Sequence, residues 1–392
     1  MKFRSISVIL RKVVSSNFWK KPKKTNYLIV DKSGSDDLFN NNIIAKNETY
    51  VLSIRSYEWL NIHIIFWLIK ERKYSLLLNE RFVLIVLYYL QCIEPKFVVT
   101  WMDYIASFYK LKALYPKAIF ISLQVGRRSN EPGEFFDRIR SMQDDQLSCD
   151  YIFSFGEAHA KEYEKYINCK AIPSGSIRNN NIPILHNKNN ILNKHKILFI
   201  SQYRKPKKNN IFAMYGDDVI TWDEYYKVEH LLLPMIVKYC KNNSLSLYIA
   251  ASIESTMELE KKFYNNLIGS KNYNYIEKTS NVSNYEVVDE FPYIVGIDST
   301  LLSEALGRGK RVAFFDCRGG YTRIPDSTFG WPMKLELKGK FWTNDIENSD
   351  VKILLDYIIN ISDKQWEKDV KSISSGLMNY DDNNLLLRKV LS

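Results

Sequence analysis

The chain has no CxxC pair, no HExxH pair and no glycine-rich GxxxxGK[ST] loop. Its five cysteines (Cys92, Cys149, Cys169, Cys240, Cys317) are scattered, which argues against a cysteine zinc site and for free thiols in a reducing compartment. The five histidines (His63, His159, His186, His195, His230) show no paired ligand spacing, so no metal is expected. A GxSxG elbow is also missing, since Pro173-Ser174-Gly175-Ser176 has the wrong spacing for a hydrolase nucleophile. Glycine is sparse, at 15 of 392 residues, and the turn Lys32-Ser33-Gly34-Ser35 after the first expected strand is not a GxGxxG fingerprint. No RNP-type or zinc-finger pattern is present, so no nucleic-acid partner is expected. The apolar stretches 60–69 and 82–90 are too short to span a bilayer, which needs about 20 residues, and read as buried core. The N-terminus lacks a clear apolar signal region and cleavage site, so a cytoplasmic protein is expected.

What is present is basic and aromatic. Net charge is +11, with Tyr 26 and Phe 20. No acid precedes Asp31, while Lys2, Arg4, Arg11, Lys12, Lys20, Lys21, Lys23 and Lys24 all do. Residues 1–24 therefore read as a basic amphipathic lead-in, suited to peripheral contact with an anionic cytoplasmic membrane face or to a plain surface helix. A second basic cluster is Arg204-Lys205-Pro206-Lys207-Lys208.

Short apolar runs predict strands at 26–30, 50–54, 96–101, 118–125, 150–155 and 170–172, then at 196–201, 245–251, 273–278, 295–297 and 312–315. Helical patterns alternate with them, among them 59–70, 76–92, 104–114, 157–166, 225–242, 257–267 and 283–290. Such β/α alternation predicts an α/β fold with parallel sheets covered on both faces. An Asn- and Lys-rich stretch, 179–196, divides it into two Rossmann-like domains facing a central cleft, over 25–185 and 186–360. Helices over 361–392 follow.

Residues 295–316, VGIDSTLLSEALGRGKRVAFFD, form the most informative unit. A strand end leads through Asp298 to Ser299 and Thr300, the two of which can cap a helix that Gly307 and Gly309 stop before a second strand. Free N–H groups, hydroxyls and a helix N-terminus then lie at the carboxyl edge of a sheet, where phosphates bind. Glu304, one turn in, can accept hydrogen bonds from ribose hydroxyls. Other strand ends supply Asp103, Gln124, Gly126, Arg127, Arg128, Ser129 and Glu131 in the first half, and Ser201, Gln202, Tyr203 and Arg204 in the second. Strand ends are polar in any such sheet, so a share of these only cap helices.

The segment Asp298-Ser299-Thr300 to Glu304-Ala305-Leu306-x-Arg308-Gly309-Lys310-x-Val312-Ala313-Phe314-Phe315 resembles that of GT-B glycosyltransferases, and more closely of bacterial O-antigen or capsule biosynthesis proteins. Ser201-Gln202-Tyr203-Arg204, Gln124-x-Gly126-x-Arg128, Phe155-Gly156-Glu157 and Gly175-Ser176-x-Arg178-Asn179-Asn180 support it. The resemblance implies a GT-B-like fold, an acceptor domain over 25–185, a donor-nucleotide domain over 186–360, and tail helices over 361–392 returning to the first domain. It implies sugar transfer from a nucleotide-sugar donor to a glycan or lipid-linked acceptor, without cofactor or bound divalent metal. The donor would meet Ser201, Gln202, Arg204, Asp298, Ser299, Thr300 and Glu304, and the acceptor Gln124, Gly126 and Arg128. Asp103 and Glu131 are the candidate catalytic bases. An arginine-bearing cleft suits an acidic donor such as CMP-linked 3-deoxy-manno-octulosonate. The glycine-rich first loop and the HP dipeptide of familiar members are missing. Polyol-phosphate transfer of the teichoic-acid type and a non-catalytic nucleotide-binding role stay open beside it.

Overall fold

The computed structural model describes residues 16–392 except 56–58, 72–79, 130, 132, 143–146, 186–193, 216–217, 280–282 and 323–327. The lead-in expected over 1–24 thus lies mostly outside the described residues.

Six apolar runs build the first sheet: β1 (Tyr27–Val30), β2 (Thr49–Leu52), β3 (Phe97–Thr100), β4 (Ile119–Leu123), β5 (Ser148–Ser154) and β6 (Asn168–Pro173). Every pairing is parallel, in the order β2-β1-β3-β4-β5-β6. A parallel strand needs a crossover on one face or the other, so β3, central in the sheet, is buried along its whole length. The second half supplies β7 (Lys196–Ile200), an antiparallel hairpin of β8 (Ile211–Tyr215) and β9 (Asp218–Thr221), then β10 (Ser246–Ala250), β11 (Asn274–Ile276), β12 (Tyr293–Gly296), β13 (Arg311–Phe315) and β14 (Trp342–Thr343). Its sheet runs β11-β10-β7-β12-β13-β14, again all parallel. The chain steps outward from β7 in one direction, then returns to β12 and steps the other way. That reversal beside β7 is a topological switch point, where open α/β sheets bind ligands. The two-domain, GT-B-like α/β expectation is met.

The helix after β12, Thr300–Gly307, turns Leu302, Ala305 and Leu306 onto the sheet at the spacing of one helical face. Ser299 takes the N-cap position, but its side chain makes no capping bond. Gly309, at φ 79°, ends the helix. Gly307 is required for another reason: a Cβ there would lie 2.9 Å from Met378, on the returning tail.

The tail divides between the two cores. Helix Asp363–Leu377 buries Trp366, Val370, Ile373 and Leu377 in the second core, while its last turn also meets helix Glu157–Glu164 of the first domain, where a Cβ on Gly156 would collide with Gly376 O. Helix Leu385–Leu391 then returns fully, setting Leu387 and Leu391 among Ile29, Val99, Ile121 and Phe153 of the first sheet. The crossing between them is tied down: Asn379 N donates to Phe155 O at 2.7 Å, and Asn180 Nδ2 donates to Asn384 Oδ1 at 3.0 Å.

Candidate functional site

The carboxyl ends of β7, β10, β11 and β12 enclose a cavity of about 520 Å³, within the range of small-molecule sites. Ser201, Gln202 and Arg204 enter it after β7, Ser252 after β10, and Glu277 and Lys278 after β11. Ser299 and Thr300 bring the helix N-terminus. Arg178 arrives from the first domain. Arg204 and Lys278 thus stand with the one carboxylate of Glu277, Arg178 enters already paired with Asp37 at 2.6 Å, and the helix start adds its positive dipole end, so the cavity favours an anion. Its wall toward the hairpin is aromatic: Phe212 stacks on Tyr225 with ring centroids 3.6 Å apart, and both face the cavity.

The backbone around this cavity is held by buried side chains. Ser201 Oγ pairs with Tyr264 Oη at 2.6 Å and accepts from Tyr203 N at 3.1 Å. Arg204 N donates to Tyr226 Oη at 2.6 Å, and Trp222 Nε1 donates to Arg204 O at 2.7 Å, leaving the guanidinium for the cavity. Glu260 accepts from Ser252 N at 3.2 Å; burial raises its carboxyl above the usual range. Gln202 Oε1 accepts from Asp298 N at 3.4 Å, tying the β7 and β12 ends together.

A second cavity, about 290 Å³, opens between the domains and is lined by Arg127, Arg128, Glu131 and Asp298 among others. Arg127 spans the gap. Its Nη2 donates to Asp316 Oδ2 at 2.8 Å and its Nη1 to Asp298 O at 3.0 Å. Asp316 is fully enclosed, and its Oδ1 meets no donor among the described residues. Burial pushes the Asp316 carboxyl up to about 6, with Asp298 adding to the rise and Arg127 opposing it. A raised native value means the folded chain holds a proton that the unfolded chain releases near 3.8. The stability from this group is therefore complete below that value and lost as pH rises through about 6. Asp316→Asn is expected to remove that fall, on the order of 3 kcal/mol at most, read as a flatter plot of Tm against pH from 4 to 7. An unchanged plot would reject the assignment.

The structure separates the expected site residues into groups. Ser201, Gln202, Arg204, Ser299 and Thr300 meet at the larger cavity. Asp298, Arg128 and Glu131 meet at the smaller one. Asp103 faces neither. Its oxygens take both arms of Arg128 at 2.5 and 2.7 Å and the Tyr163 hydroxyl at 2.7 Å, with no exposed surface left. A carboxylate so paired is a clamp for Arg128 and has no room to receive an acceptor proton. Gln124 is likewise spent on the backbone, donating to Gly126 O at 3.0 Å and accepting from Phe155 N at 2.8 Å. At Gly126 a Cβ would meet nothing nearer than Arg128 at 4.0 Å, so no neighbour in the chain demands glycine there. Glu304 stands behind the larger cavity, not in its wall. Tyr285 Oη donates to it at 3.0 Å and Ser176 of the first domain also bonds it, while burial raises its carboxyl.

Sequence reasoning missed Arg178 and Lys278 as cavity residues, and missed Arg318 altogether. Arg318 is 2% exposed and pairs with Glu229 at 2.6 Å and Asp298 at 3.1 Å, stacked 3.9 Å over Tyr225. It fixes Asp298 and the aromatic wall in one contact set. Its position just past β13 was the available signal.

A protein-family model described as "putative O-antigen biosynthesis protein" matches residues 121–392, more than half of the chain. No curated protein matches. Among solved structures, a glycosyltransferase from Rickettsia africae is 14% identical over 94% of this chain and 97% of its own, with a TM-score of 0.49. HepE of Anabaena, in complex with UDP and glucose, is 11% identical over 94% and 99%, with a TM-score of 0.48. The UDP-GlcNAc 2-epimerase of Neisseria meningitidis, bound to UDP-GlcNAc, is 14% identical over 94% and 98%, at 0.46. Glycosyl transfer and epimerisation both occur among these names, and at such scores the likenesses carry no argument about activity. The family match does carry one: this chain belongs to that family of O-antigen biosynthesis proteins.

Proposed function

We propose that the chain is a glycosyltransferase that moves a sugar from a nucleotide-activated donor to a surface-polysaccharide or lipid-linked acceptor. One observation carries the reading: a cation-lined cavity of about 520 Å³ at the switch point of the second sheet, closed by Arg178 of the first domain. The donor phosphates lie against Arg204, Lys278 and the Thr300 helix start, where fixed charges stabilise the leaving phosphate without a bound divalent metal. The Phe212–Tyr225 wall offers a flat apolar face to the base or sugar. Arg178 would meet a donor carboxylate, such as that of CMP-linked 3-deoxy-manno-octulosonate, by sharing the guanidinium that Asp37 holds at 2.6 Å.

In the smaller cavity Glu131 is the base we assign, since Asp103 is spent on Arg128. It takes the proton of the acceptor hydroxyl as that oxygen bonds the sugar's anomeric carbon. The bond from that carbon to the donor phosphate breaks, and its electron pair leaves on the phosphate. The protein works peripherally on the inner face of the cytoplasmic membrane.

A thermal-shift panel of CMP, CDP, UDP, UMP, ADP and GDP tests the donor site. One nucleotide is expected to stabilise the chain, and Arg204→Ala to weaken that binding at least tenfold. Preference for CMP supports the acidic sugar, and preference for CDP supports the polyol-phosphate reading. Stabilisation by none of them, in a folded sample, overturns the assignment.

A further inference from the structure

We propose that helix Ile62–Lys70 is a membrane-docking surface that sets the first domain on an anionic phospholipid bilayer. The helix begins at Asn61, whose side chain accepts from His63 N at 2.8 Å. Ile64 and Leu68 face inward to the first core. The opposite face should be polar in a helix that meets only water. Instead Ile65, Phe66 and Ile69 point outward, Phe66 and Ile69 at 64% and 61% exposure. Trp19 adjoins them at 58% exposure: its carbonyl oxygen lies 3.2 Å from His63 Nε2, one turn below Phe66. Among the described residues twelve large hydrophobic side chains are exposed, and four of them gather here, so the patch is a concentration and not a scatter.

The rim identifies the occupant. Lys20, Lys21 and Lys23 follow Trp19 and Lys70 follows Ile69, all exposed, and Asn61 Nδ2 fixes the Lys20 carbonyl at 2.6 Å. Glu71 is the acid nearest in sequence to the helix end. Exposed apolar side chains flanked along the chain by exposed lysines complement a bilayer whose headgroups are anionic and whose next layer is hydrocarbon. A second copy fits poorly. A two-fold contact of this patch with itself would set lysine against lysine. The inference rests on the proposed function only in that a lipid-linked acceptor would be met at this surface.

Flotation of the full chain with phosphatidylglycerol/phosphatidylethanolamine vesicles and with phosphatidylcholine vesicles tests it. Binding is expected to the anionic vesicles alone and to weaken as salt is raised. Phe66→Ser with Ile69→Ser is expected to cut the partition at least tenfold, and Lys20→Glu with Lys21→Glu and Lys23→Glu to abolish it. Ile353→Ser, an exposed apolar residue elsewhere, should leave it unchanged. Equal partition of parent and Phe66/Ile69 variant overturns the proposal, as does equal binding to neutral vesicles. A parent dimer broken by Phe66→Ser, without vesicle binding, overturns it in favour of a second copy. The nucleotide-induced thermal shift is read in the same variants. Loss of docking with the shift kept, or the reverse, tells failure of this inference from failure of the donor-site reading.

Discussion

Arg318→Met is expected to lower the stability of the second domain by about 3–5 kcal/mol, the cost of stranding a buried ionic partner. Glu229 is 1% exposed, and both its oxygens rest on Arg318, at 2.6 and 2.9 Å. Burial already raises the Glu229 carboxyl, and Arg318 is the charge that opposes the rise. The Tyr225 carbonyl also bonds this guanidinium, and the Tyr225 ring lies flat against it. Lysine offers a point charge on a flexible stem and cannot meet these partners together. In guanidinium unfolding the midpoint should fall with little change of slope, and Tm should drop by about 10 °C. Glu229→Gln placed on top of Arg318→Met should recover part of the loss, because it removes the stranded charge. A single-variant loss below about 1 kcal/mol would show that the pair is balanced by solvation alone.

The second large effect is expected at Arg308, whose side chain is fully enclosed. It grips both oxygens of Asp289, and it reaches Asn179 Oδ1 at 2.9 Å, Ile182 O at 3.0 Å and Pro183 O at 3.1 Å. One side chain therefore anchors the start of the interdomain connection to the donor-side helix. Arg308→Ala should cost about 3 kcal/mol, because the buried Asp289 carboxylate keeps only Lys310 at 3.8 Å and Leu185 N at 2.9 Å. Beyond stability, amide exchange at residues 179–183 should rise well above that of β7, which the substitution leaves intact. Uniform exchange across both segments would count against a local anchor.

Much of the fold was legible because its signals are local. β7, β10 and β13 read directly as short apolar runs closed by polar residues. The helix after β12 showed its cap position and its glycine stop. What could not be read was pairing at a distance. Asp103 and Glu131 look alike from strand position, and only the approach of Arg128 and Tyr163 separates them. Glu304 sits where a ribose contact would be expected, yet Tyr285 and Ser176 already hold it. Arg318 lies 89 residues from Glu229, so the neighbourhood of neither reveals the other.

The returning helix Leu385–Leu391 imposes an order on synthesis. Ile29, Val99 and Ile121 belong to strands made early, yet Leu387 and Leu391, which help to cover them, are made only after every strand of the second sheet. Domains generally fold as they emerge, the N-terminal one first. Here that face has Leu38, Ile43, Ile44 and Ile177 of the first domain on it early, and lacks the cover of Leu387 and Leu391 until the second domain has been made. A nascent chain stalled before residue 385 would carry a complete second sheet beside an unfinished first, and would be a substrate for chaperones until release.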